Sequence, residues 1–160
     1  MSFKTIKIKN PQNLNLIFGQ SHFIKTVEDL HEVLVSCVPG VKFGLAFAEA
    51  SGPRMIRTSG TDKALEKLAA ENLKVISAGH SFLIFLKDSF PINFLPRIKQ
   101  VEEVCQIFCA TANPVEVILF EGEKGKAVLG VIDGFSPLGV EKKSETKKRK
   151  DFLRKIGYKL

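Results

Sequence analysis

The sequence predicts a single α/β domain of the mixed α+β type, in which helices flank a mixed β-sheet and a basic helix closes the chain. The first observation is composition: 160 residues with 44% hydrophobic and 26% charged side chains are typical of one globular domain over residues 1–160. The second is that apolar residues recur in some segments with a strand period and in others with a helix period. The third is the order of the predicted elements along the chain: strands and helices alternate in the first half, and strands cluster in the second.

Strands and helices alternate in the first half of the chain. A nearly continuous apolar run over residues 42–50 predicts a central strand covered on both faces. Thr26-Val27-Glu28-Asp29 resembles a capping box with Asp in place of Glu, which predicts a helix from Thr26 to Val38-Pro39-Gly40. The other early strands are predicted at residues 3–9, at 14–18, and through Met55 and Ile56 between turns at 51–53 and 59–62.

In the second half, helical spacing over residues 62–78 predicts a helix with Gly79 at its C-terminal cap. Pro91 predicts a short helix over residues 92–99, which Pro96 would kink or divide. A basic amphipathic helix is predicted from Ser144 to Ile156, with a docking side formed by Phe152, Leu153 and Ile156. Apolar runs predict further strands at 82–86, 106–110, 115–120 and 127–132.

The net charge of +7 is concentrated at the C-terminal end, where residues 141–160 hold nine of the 24 basic residues and three of the 17 acidic ones. The body is therefore nearly neutral and the tail is basic. This pattern fits the solvated face of a terminal helix or, alternatively, a surface that contacts nucleic acid. No zinc-finger or RNP-like pattern accompanies the tail, so nucleic acid is the weaker interpretation.

Cellular location is predicted from what the chain lacks and from its thiols. No apolar run approaches the roughly 20 residues that span a bilayer, and the first residues lack the apolar core of a signal peptide. Cys37, Cys105 and Cys109 form an odd set without a CxxC pair, which favours a reducing compartment and core packing over disulfides. We therefore predict a cytoplasmic protein without membrane contact.

Familiar catalytic motifs are missing. The segment 122–127 is glycine-rich and basic, but it lacks the glycine spacing and the hydroxyl of a P-loop. Asp133-Gly134-Phe135 follows a strand without the other parts of a protein-kinase site. The three histidines have no partners at metal-ligand spacing, which argues against a structural zinc site. The cofactor is therefore unknown, with a divalent metal left open.

Two histidines lie at junctions where chemistry is expected. His22 and Lys25 stand in the loop before the predicted helix at Thr26, where free N–H groups and the helix dipole favour an anion. His80 lies between Gly79 and Ser81 at a helix-to-strand junction. The alternatives are that His22 merely packs in its loop and that His80 is a structural histidine bonded to a carbonyl.

Other polar residues follow the ends of apolar strands. Glu49, Ser51 and Arg54 come after the central strand, and burial of the Glu49 carboxylate would be costly unless it is paired or faces a ligand. An ion pair of Glu49 with Arg54 or Arg57 is the alternative. Asn113 and Asp133 also end strands, although Asn113 fits a simple turn residue as well.

Several of these segments together resemble the adenosine-specific kinase family, a group of small proteins mostly from archaea and thermophilic bacteria. The similarity runs essentially end to end, through Arg154-Lys155-Ile156-Gly157-Tyr158-Lys159-Leu160. The resemblance implies a mixed α/β subunit, a trimer, that binds adenosine or its monophosphate and in which a histidine carries a phosphoryl group. The motifs that carry it are Gln20 to Leu30, Val38 to Gly44, Glu49 to Gly52, Ala78 to His80, Cys109 to Pro114 and Gly130 to Pro137.

Three functions follow as hypotheses. In the first, the protein is a phosphotransferase acting on adenosine, with His80 or His22 as nucleophile or phosphoryl carrier. Lys25 and Arg54 would hold phosphate oxygens, and Glu49 or Asp133 would orient a histidine, a ribose hydroxyl or a metal. In the second, it binds or senses adenosine nucleotides without catalysis. In the third, the basic tail binds nucleic acid. The ligand-binding set of the first two hypotheses is Lys25, Glu49, Ser51, Arg54, Gly79, Ser81, Asn113 and Asp133.

Overall fold

The computed structural model describes residues 2–160, which form eight strands, four α-helices and a 3₁₀ turn at Pro91–Asn93. The strands are β1 (Ser2–Lys7), β2 (Asn15–Ser21), β3 (Lys42–Ala48), β4 (Ile56–Gly60), β5 (Ser81–Lys87), β6 (Val104–Thr111), β7 (Val115–Glu121) and β8 (Lys126–Asp133). The helices are α1 (Thr26–Cys37), α2 (Lys63–Ile76), α3 (Leu95–Ile98) and α4 (Lys143–Lys155). The predicted α+β class is confirmed.

The strands form two antiparallel sheets rather than one mixed sheet. The five-stranded sheet has the order β4-β3-β5-β2-β6 and the three-stranded sheet the order β1-β7-β8. β2 and β3 do run in the same direction, as a strand–helix–strand unit implies, but β5 lies between them and pairs antiparallel with both. β2 and β3 are therefore parallel but not paired, so the predicted mixed sheet does not form.

The five-stranded sheet is covered on both faces, as predicted for β3. On one face, Ala46 and Ala48 pack in a core cluster with α2 and the three-stranded sheet. On the other, Phe43, Leu45 and Phe47 pack in a second cluster with α1. We call these the α2 face and the α1 face.

Three local predictions about helix ends are wrong. The N-cap of α1 is Lys25, without a side-chain bond, because the buried Thr26 hydroxyl turns inward to the carbonyl of Phe23. The left-handed C-terminal cap of α2 is Ser77 (φ 54°), not Gly79. The 92–99 segment divides at Phe94 rather than at Pro96, which lies in the first turn of α3, where proline is tolerated.

Two packing predictions are also corrected. Cys109 is buried, but Cys105 is exposed, because register shifts in β6 break the alternation that would place both thiols on one side. No residue of α4 is buried, and Phe152 on its predicted docking side is 57% exposed. Ile156 on the same side is also exposed, and only Leu153 is half-buried, so the predicted docking side is largely uncovered within residues 2–160.

Candidate functional site

The antiparallel order brings most of the predicted residues to one end of the five-stranded sheet. Gln20 pairs with Ser81, Phe47 with Phe82, and Ser21 with Val104, so the end of β2 lies beside the starts of β5 and β6 and near the end of β3. The loops at this end carry His22, Lys25, Glu49, Ser51, Arg54, Gly79, His80 and Ser81. Asn113 and Asp133 are not part of this group.

The side chains of His22 and His80 meet at this end and form what we call the histidine pair. Their ring centroids are 6.3 Å apart, with an interplanar angle of 88°. The His80 ring also stacks on Phe47 at 5.9 Å, which places it on the α1 face. His22 is exposed and His80 is half-buried, so both rings are within reach of a ligand.

The backbone of His80 is held in an unusual conformation. Its φ is 64°, in the left-handed region that residues other than glycine rarely adopt. Its N–H donates to the carbonyl of Ala48 at 2.6 Å, and its carbonyl accepts from the N–H of Ser21 at 2.9 Å. Neighbouring strands thus fix the bend, and strained residues of this kind cluster at functional sites.

Lys25 is surrounded by carboxylates. Its ammonium lies 2.6 Å from Glu102, 3.1 Å from Asp29 and 3.7 Å from Glu103. The hydrogen bond to Glu102, followed by that to Asp29, raises the pKa of Lys25 above its ordinary value. The charge of Lys25 is therefore already compensated within the chain.

Glu103 is a buried carboxylate that the sequence analysis did not single out. Its side chain is 3% exposed, and neither carboxylate oxygen accepts a hydrogen bond from any residue between 2 and 160. Burial raises the pKa of this carboxyl above its ordinary value. Its backbone carbonyl accepts from the N–H of His22 at 2.7 Å, so Glu103 also anchors the histidine loop. Glu102 and Glu103 stand side by side before β6, and nothing in the local sequence indicates that one of them is buried.

The histidine loop presents backbone donors. The N–H groups of Phe23, Ile24 and Lys25 make no hydrogen bond with any residue in the described chain, and they precede the N-terminus of α1. Backbone donors at such a position can hold the oxygens of an anion. The neighbouring carboxylates of Asp29 and Glu102 oppose that effect.

Glu49 forms an ion pair with Arg57 rather than with Arg54. Its carboxylate accepts from the Met55 N–H at 2.7 Å and from Arg57 Nε at 3.0 Å. The Met55 bond, followed by the Arg57 contacts, lowers the pKa of Glu49 below its ordinary value against the cost of burial. Arg54 is exposed at a φ of 54° and forms no ion pair within residues 2–160.

The remaining predicted residues have distinct environments. Ser51 is exposed in the loop after β3. The buried Ser81 hydroxyl donates to the carbonyl of Ala78 at 2.6 Å, which closes the turn into β5. Gly79 is exposed, and a Cβ added there would lie 2.7 Å from the Cβ of Ala50. Glycine is therefore required where the loops after β3 and α2 touch.

Asn113 and Asp133 bind each other at another place. The Asn113 side-chain N–H donates to Asp133 Oδ1 at 3.1 Å. Thr111, two residues before Asn113, pairs with Leu16 at the start of β2, whereas His22 follows the end of β2. The two residues thus fasten the β6–β7 turn to the end of β8, away from the histidine pair.

A large cleft lies on the α2 face at the same end of the sheet. Its volume is about 850 Å³, and its walls are the end of β3, the start of β4, the end of α2 and the β7–β8 hairpin. Three of its four cations, Arg54, Lys74 and Lys124, form no ion pair within the described part of the chain. The fourth, Lys126, lies 4.0 Å from Glu121, and the paired carboxylate of Glu49 belongs to a residue that also lines the cleft. We call this cleft the cationic cleft. Lys74 and Lys124 were not predicted as site residues, although segment 122–127 is glycine-rich and basic.

The cationic cleft touches the histidine pair through one residue. Gly79 lines the cleft, and the next residue, His80, turns its ring to the α1 face against Phe47. The apolar part of the cleft wall includes Met55, Ile56 and Phe120. The cleft thus combines cationic side chains with an apolar surface.

Other features bear on cofactors and membranes. Among residues 2–160, no three His, Cys, Asp or Glu side chains converge so as to hold a metal ion. No helix in the described chain has both the length and the apolar character needed to cross a bilayer.

The fold and the site define an α+β protein with a histidine pair beside a cationic cleft. The chain belongs to the adenosine specific kinase family, whose model matches residues 6–159, so the family resemblance is confirmed. It is also similar to the crystal structure of the PH1918 protein from Pyrococcus horikoshii OT3, with 43% identity and a TM-score of 0.95. That similarity covers 99% of this chain and 98% of the other. No curated protein matches the chain.

Proposed function

We propose that this protein transfers a phosphoryl group to adenosine and that His80 carries the group. The observation that supports this most is the meeting of His80 and His22 at 6.3 Å, with one ring exposed and the other half-buried. Family membership supplies the nucleoside and the reaction class. The backbone of His80 is strained, and such strain is typical of residues that are held in place at a functional site.

The proposed reaction has two displacements. A ring nitrogen of neutral His80 attacks the phosphorus of an anionic donor, a phosphate ester or anhydride, and the bond to the donor's leaving oxygen breaks. The 5′-hydroxyl oxygen of adenosine then attacks the phosphohistidine, the P–N bond breaks, and His22 accepts the hydroxyl proton. The products are AMP, the donor's leaving group and free His80, and His22 passes the proton it accepted to solvent.

The charges near the site suggest how phosphate is held. Lys25 is compensated by Glu102 and Asp29, so it would have to leave them to bind phosphate. The cationic cleft offers Arg54, Lys74 and Lys124, and Gly79 connects it to His80 without a side chain in between. We therefore propose that adenosine reacts beside the histidine pair and that the AMP formed there then binds with its phosphate in the cleft.

A second function is binding of adenosine nucleotides without transfer. One observation favours it: the His80 ring lies on the α1 face, whereas the cleft cations lie on the α2 face. A nucleotide fully inside the cleft would keep its phosphate away from the ring. Phosphoryl transfer also needs charge neutralisation and an aligned acceptor, which binding alone does not.

The test is to incubate the full-length protein with adenosine and candidate phosphoryl donors, and to follow AMP and protein-bound phosphate by mass spectrometry. We expect His80→Asn to abolish AMP formation and the acid-labile adduct, and to leave adenosine affinity within about threefold. His22→Asn should slow transfer from the adduct to adenosine.

The matched control is His31→Asn, because His31 contacts Ser59 and Phe43 and lies outside the histidine pair. It should retain transfer if circular dichroism shows that it folds. Transfer that survives in both His80→Asn and His22→Asn would contradict the histidine mechanism. Adenosine and AMP binding without transfer by the wild type would establish the second function.

Ligand choice, assembly and location belong to the same proposal. We expect calorimetry to show tighter binding of adenosine and AMP than of guanosine equivalents, and equal affinities would contradict the proposal. The family resemblance implies a trimer, and the three cysteines without a CxxC pair favour the reducing cytoplasm. A relative from Pyrococcus horikoshii accords with the archaeal and thermophilic character of the family.

A further inference from the structure

Glu49 is a carboxylate that is held largely out of water near the histidine pair. Its side chain is 9% exposed, and burial of a charged carboxylate is costly unless donors surround it. The donors are the Met55 N–H and the Arg57 guanidinium. Together they hold the pKa of Glu49 below its ordinary value, so the carboxylate is ionised at neutral pH and can only accept hydrogen bonds.

The carboxylate of Glu49 lies on the α1 face of the five-stranded sheet. The Glu49 N–H donates to the Met55 carbonyl at 3.0 Å, so the pairing of β3 with β4 continues one residue beyond the strand. Arg57 stands directly opposite Phe47, whose side chain is on the α1 face, and residues opposite each other in an antiparallel pair share a face. Because Arg57 binds the carboxylate, the carboxylate is on that face as well.

The sheet register brings Glu49 level with His80. Phe47 of β3 lies opposite Phe82 of β5. Two residues beyond Phe47, Glu49 therefore comes level with His80, which lies two residues before Phe82. The N–H of His80 donates to the carbonyl of Ala48, next to Glu49, and the His80 ring stacks on Phe47. Neighbouring strands lie about 5 Å apart, so a ligand beside the histidine pair is within reach of the carboxylate.

One acceptor position of the carboxylate has no donor within residues 2–160. Oε1 accepts from Arg57 Nε at 3.0 Å and lies 2.9 Å from Arg57 Nη2, whereas Oε2 accepts only from the Met55 N–H, at 2.7 Å. An ionised carboxylate offers about four lone-pair sites, so Oε2 retains one. The guanidinium and the backbone N–H also fix the orientation of the carboxylate. Glu49 is thus a rigid, charged acceptor.

The charge of Glu49 determines which part of a nucleotide it can bind. A carboxylate repels phosphate oxygens and attracts hydroxyl and amino groups. The unpaired cations of the cationic cleft, by contrast, attract phosphate. Glu49 therefore suits the neutral nucleoside part of the ligand.

The position of Glu49 selects among the donors of adenosine. In the proposed reaction the 5′-hydroxyl lies beside His80. The 2′- and 3′-hydroxyls belong to the same sugar, whereas the amino group lies at the far edge of the base. An acceptor level with His80 therefore meets a ribose hydroxyl before it meets the amino group.

We propose that Glu49 accepts a hydrogen bond from the 2′- or 3′-hydroxyl of adenosine and makes the site selective for ribonucleosides over deoxyribonucleosides. Arg57 is a positioning residue, because it acts on the ligand only through Glu49. A site built to bind a hydroxyl rejects an analogue that lacks it, since the buried acceptor then stays unpaired. This inference rests on the proposed binding of adenosine beside the histidine pair.

The first test needs no variant. Calorimetry on the full-length protein compares adenosine with 2′-deoxyadenosine and 3′-deoxyadenosine. We expect adenosine to bind more tightly than at least one of the two analogues by about tenfold or more, as for a hydrogen bond to a charged acceptor. The analogue that binds more weakly identifies the hydroxyl.

The second test assigns this preference to Glu49. In Glu49→Ala no acceptor remains, so the affinities for adenosine and the weaker analogue should come within about twofold of each other. Glu49→Gln retains a neutral acceptor and should keep an intermediate preference. The matched control is Glu66→Ala, because Glu66 is also 9% exposed and is paired with Lys63 at 2.8 Å, at the start of α2. The control should keep the full preference, and circular dichroism should show that all three variants are folded.

Two results would overturn this inference and leave the proposed transfer intact. One is a wild type that binds adenosine and both deoxy analogues equally, which would make the contacts of Glu49 purely structural. The other is a full preference for adenosine in a folded Glu49→Ala variant, which would mean that another residue binds the hydroxyl. A wild type that binds no adenosine would contradict the proposed function together with the role of Glu49.

Discussion

The two faces of the five-stranded sheet differ in how their charges are matched. On the α1 face, Lys25 is bound by Glu102 and Asp29. Arg57 is bound by Glu49, a residue that also lines the cationic cleft. On the α2 face, the cleft cations Arg54, Lys74 and Lys124 have no carboxylate partner within residues 2–160. The lysine nearest the histidine pair is therefore paired, whereas three cations of the cleft are available for an anion.

This difference indicates that the two faces have different roles. An unpaired cation gains a full charge-assisted bond when it meets phosphate, whereas a paired one must first give up its carboxylate. Histidine rings on a charge-compensated surface are suited to exchange protons and to attack phosphorus. We therefore expect affinity for phosphate to depend on the cleft and transfer to depend on the histidines.

The largest expected effect comes from neutralising the cleft. In Arg54→Gln, Lys74→Gln, Lys124→Gln, affinity for AMP should fall about a thousandfold, since three charge-assisted bonds of about 1.5 kcal/mol each are lost. Affinity for adenosine should not change, because adenosine carries no phosphate. Calorimetry with both ligands measures the difference.

The matched control for that prediction removes equal charge from α4. Lys147→Gln, Lys148→Gln, Arg149→Gln should leave both affinities unchanged if phosphate binds in the cleft. Equal losses of AMP affinity in the two triple variants would show a non-specific charge effect. An unchanged AMP affinity in the cleft variant would indicate that the phosphate binds on the α1 face, beside the histidine pair.

The junction between the two faces can be tested through Gly79→Ala. The added Cβ would lie 2.7 Å from the Cβ of Ala50, so we expect overpacking to lower the free energy of unfolding by about 2 kcal/mol. Urea denaturation measures this loss. The double variant Gly79→Ala, Ala50→Gly should recover part of it, because the opposing methyl group is gone. Full stability of the single variant would show that the two loops separate freely.

The smallest effect concerns Glu103 on the α1 face. Burial raises the pKa of its carboxyl above the ordinary value, so its contribution to stability is present at low pH and is lost as pH rises through the raised pKa. Glu103→Gln should therefore raise the free energy of unfolding by about 1 kcal/mol at pH 7. The gain should vanish near pH 4, about the ordinary pKa of a glutamate.

Thermal or urea unfolding of Glu103→Gln at both pH values measures that change. The control is Glu102→Gln at the neighbouring position, where an 80% exposed carboxylate loses its bond to Lys25 and no stabilisation is expected. A loss of stability in Glu103→Gln at pH 7 would mean that the attraction to Lys25 outweighs the cost of burial.

Most elements could be predicted because their signals are local. The apolar run at 42–50 and the helical spacing at 62–78 correspond to β3 and α2. Helix caps were less predictable, since the Thr26 hydroxyl bonds to Phe23 only because the fold buries it next to Ser21. The register shifts that expose Cys105 likewise depend on the pairing of β6 with β2.

In the candidate site, too, features with a local sequence signal were predicted and features set by tertiary structure were not. His22, His80, Glu49 and Gly79 were predicted as separate strand-end features, and strand order brings their loops together. Glu103 was missed because its burial comes from packing against other elements and not from the residues beside it in sequence. Lys74 and Lys124 were missed because they belong to a helix and a hairpin that only the tertiary fold places around one cleft.

The sequence by itself determined the α+β class, the position of nearly every element, the basic C-terminal end and the family, because each is written in local periodicity, composition or motif. Tertiary structure alone decided that β5 separates β2 from β3, that Glu49 pairs with Arg57, and that Asn113 and Asp133 lie away from the histidine pair. Those outcomes depend on distances between residues far apart in the chain, which local periodicity does not encode.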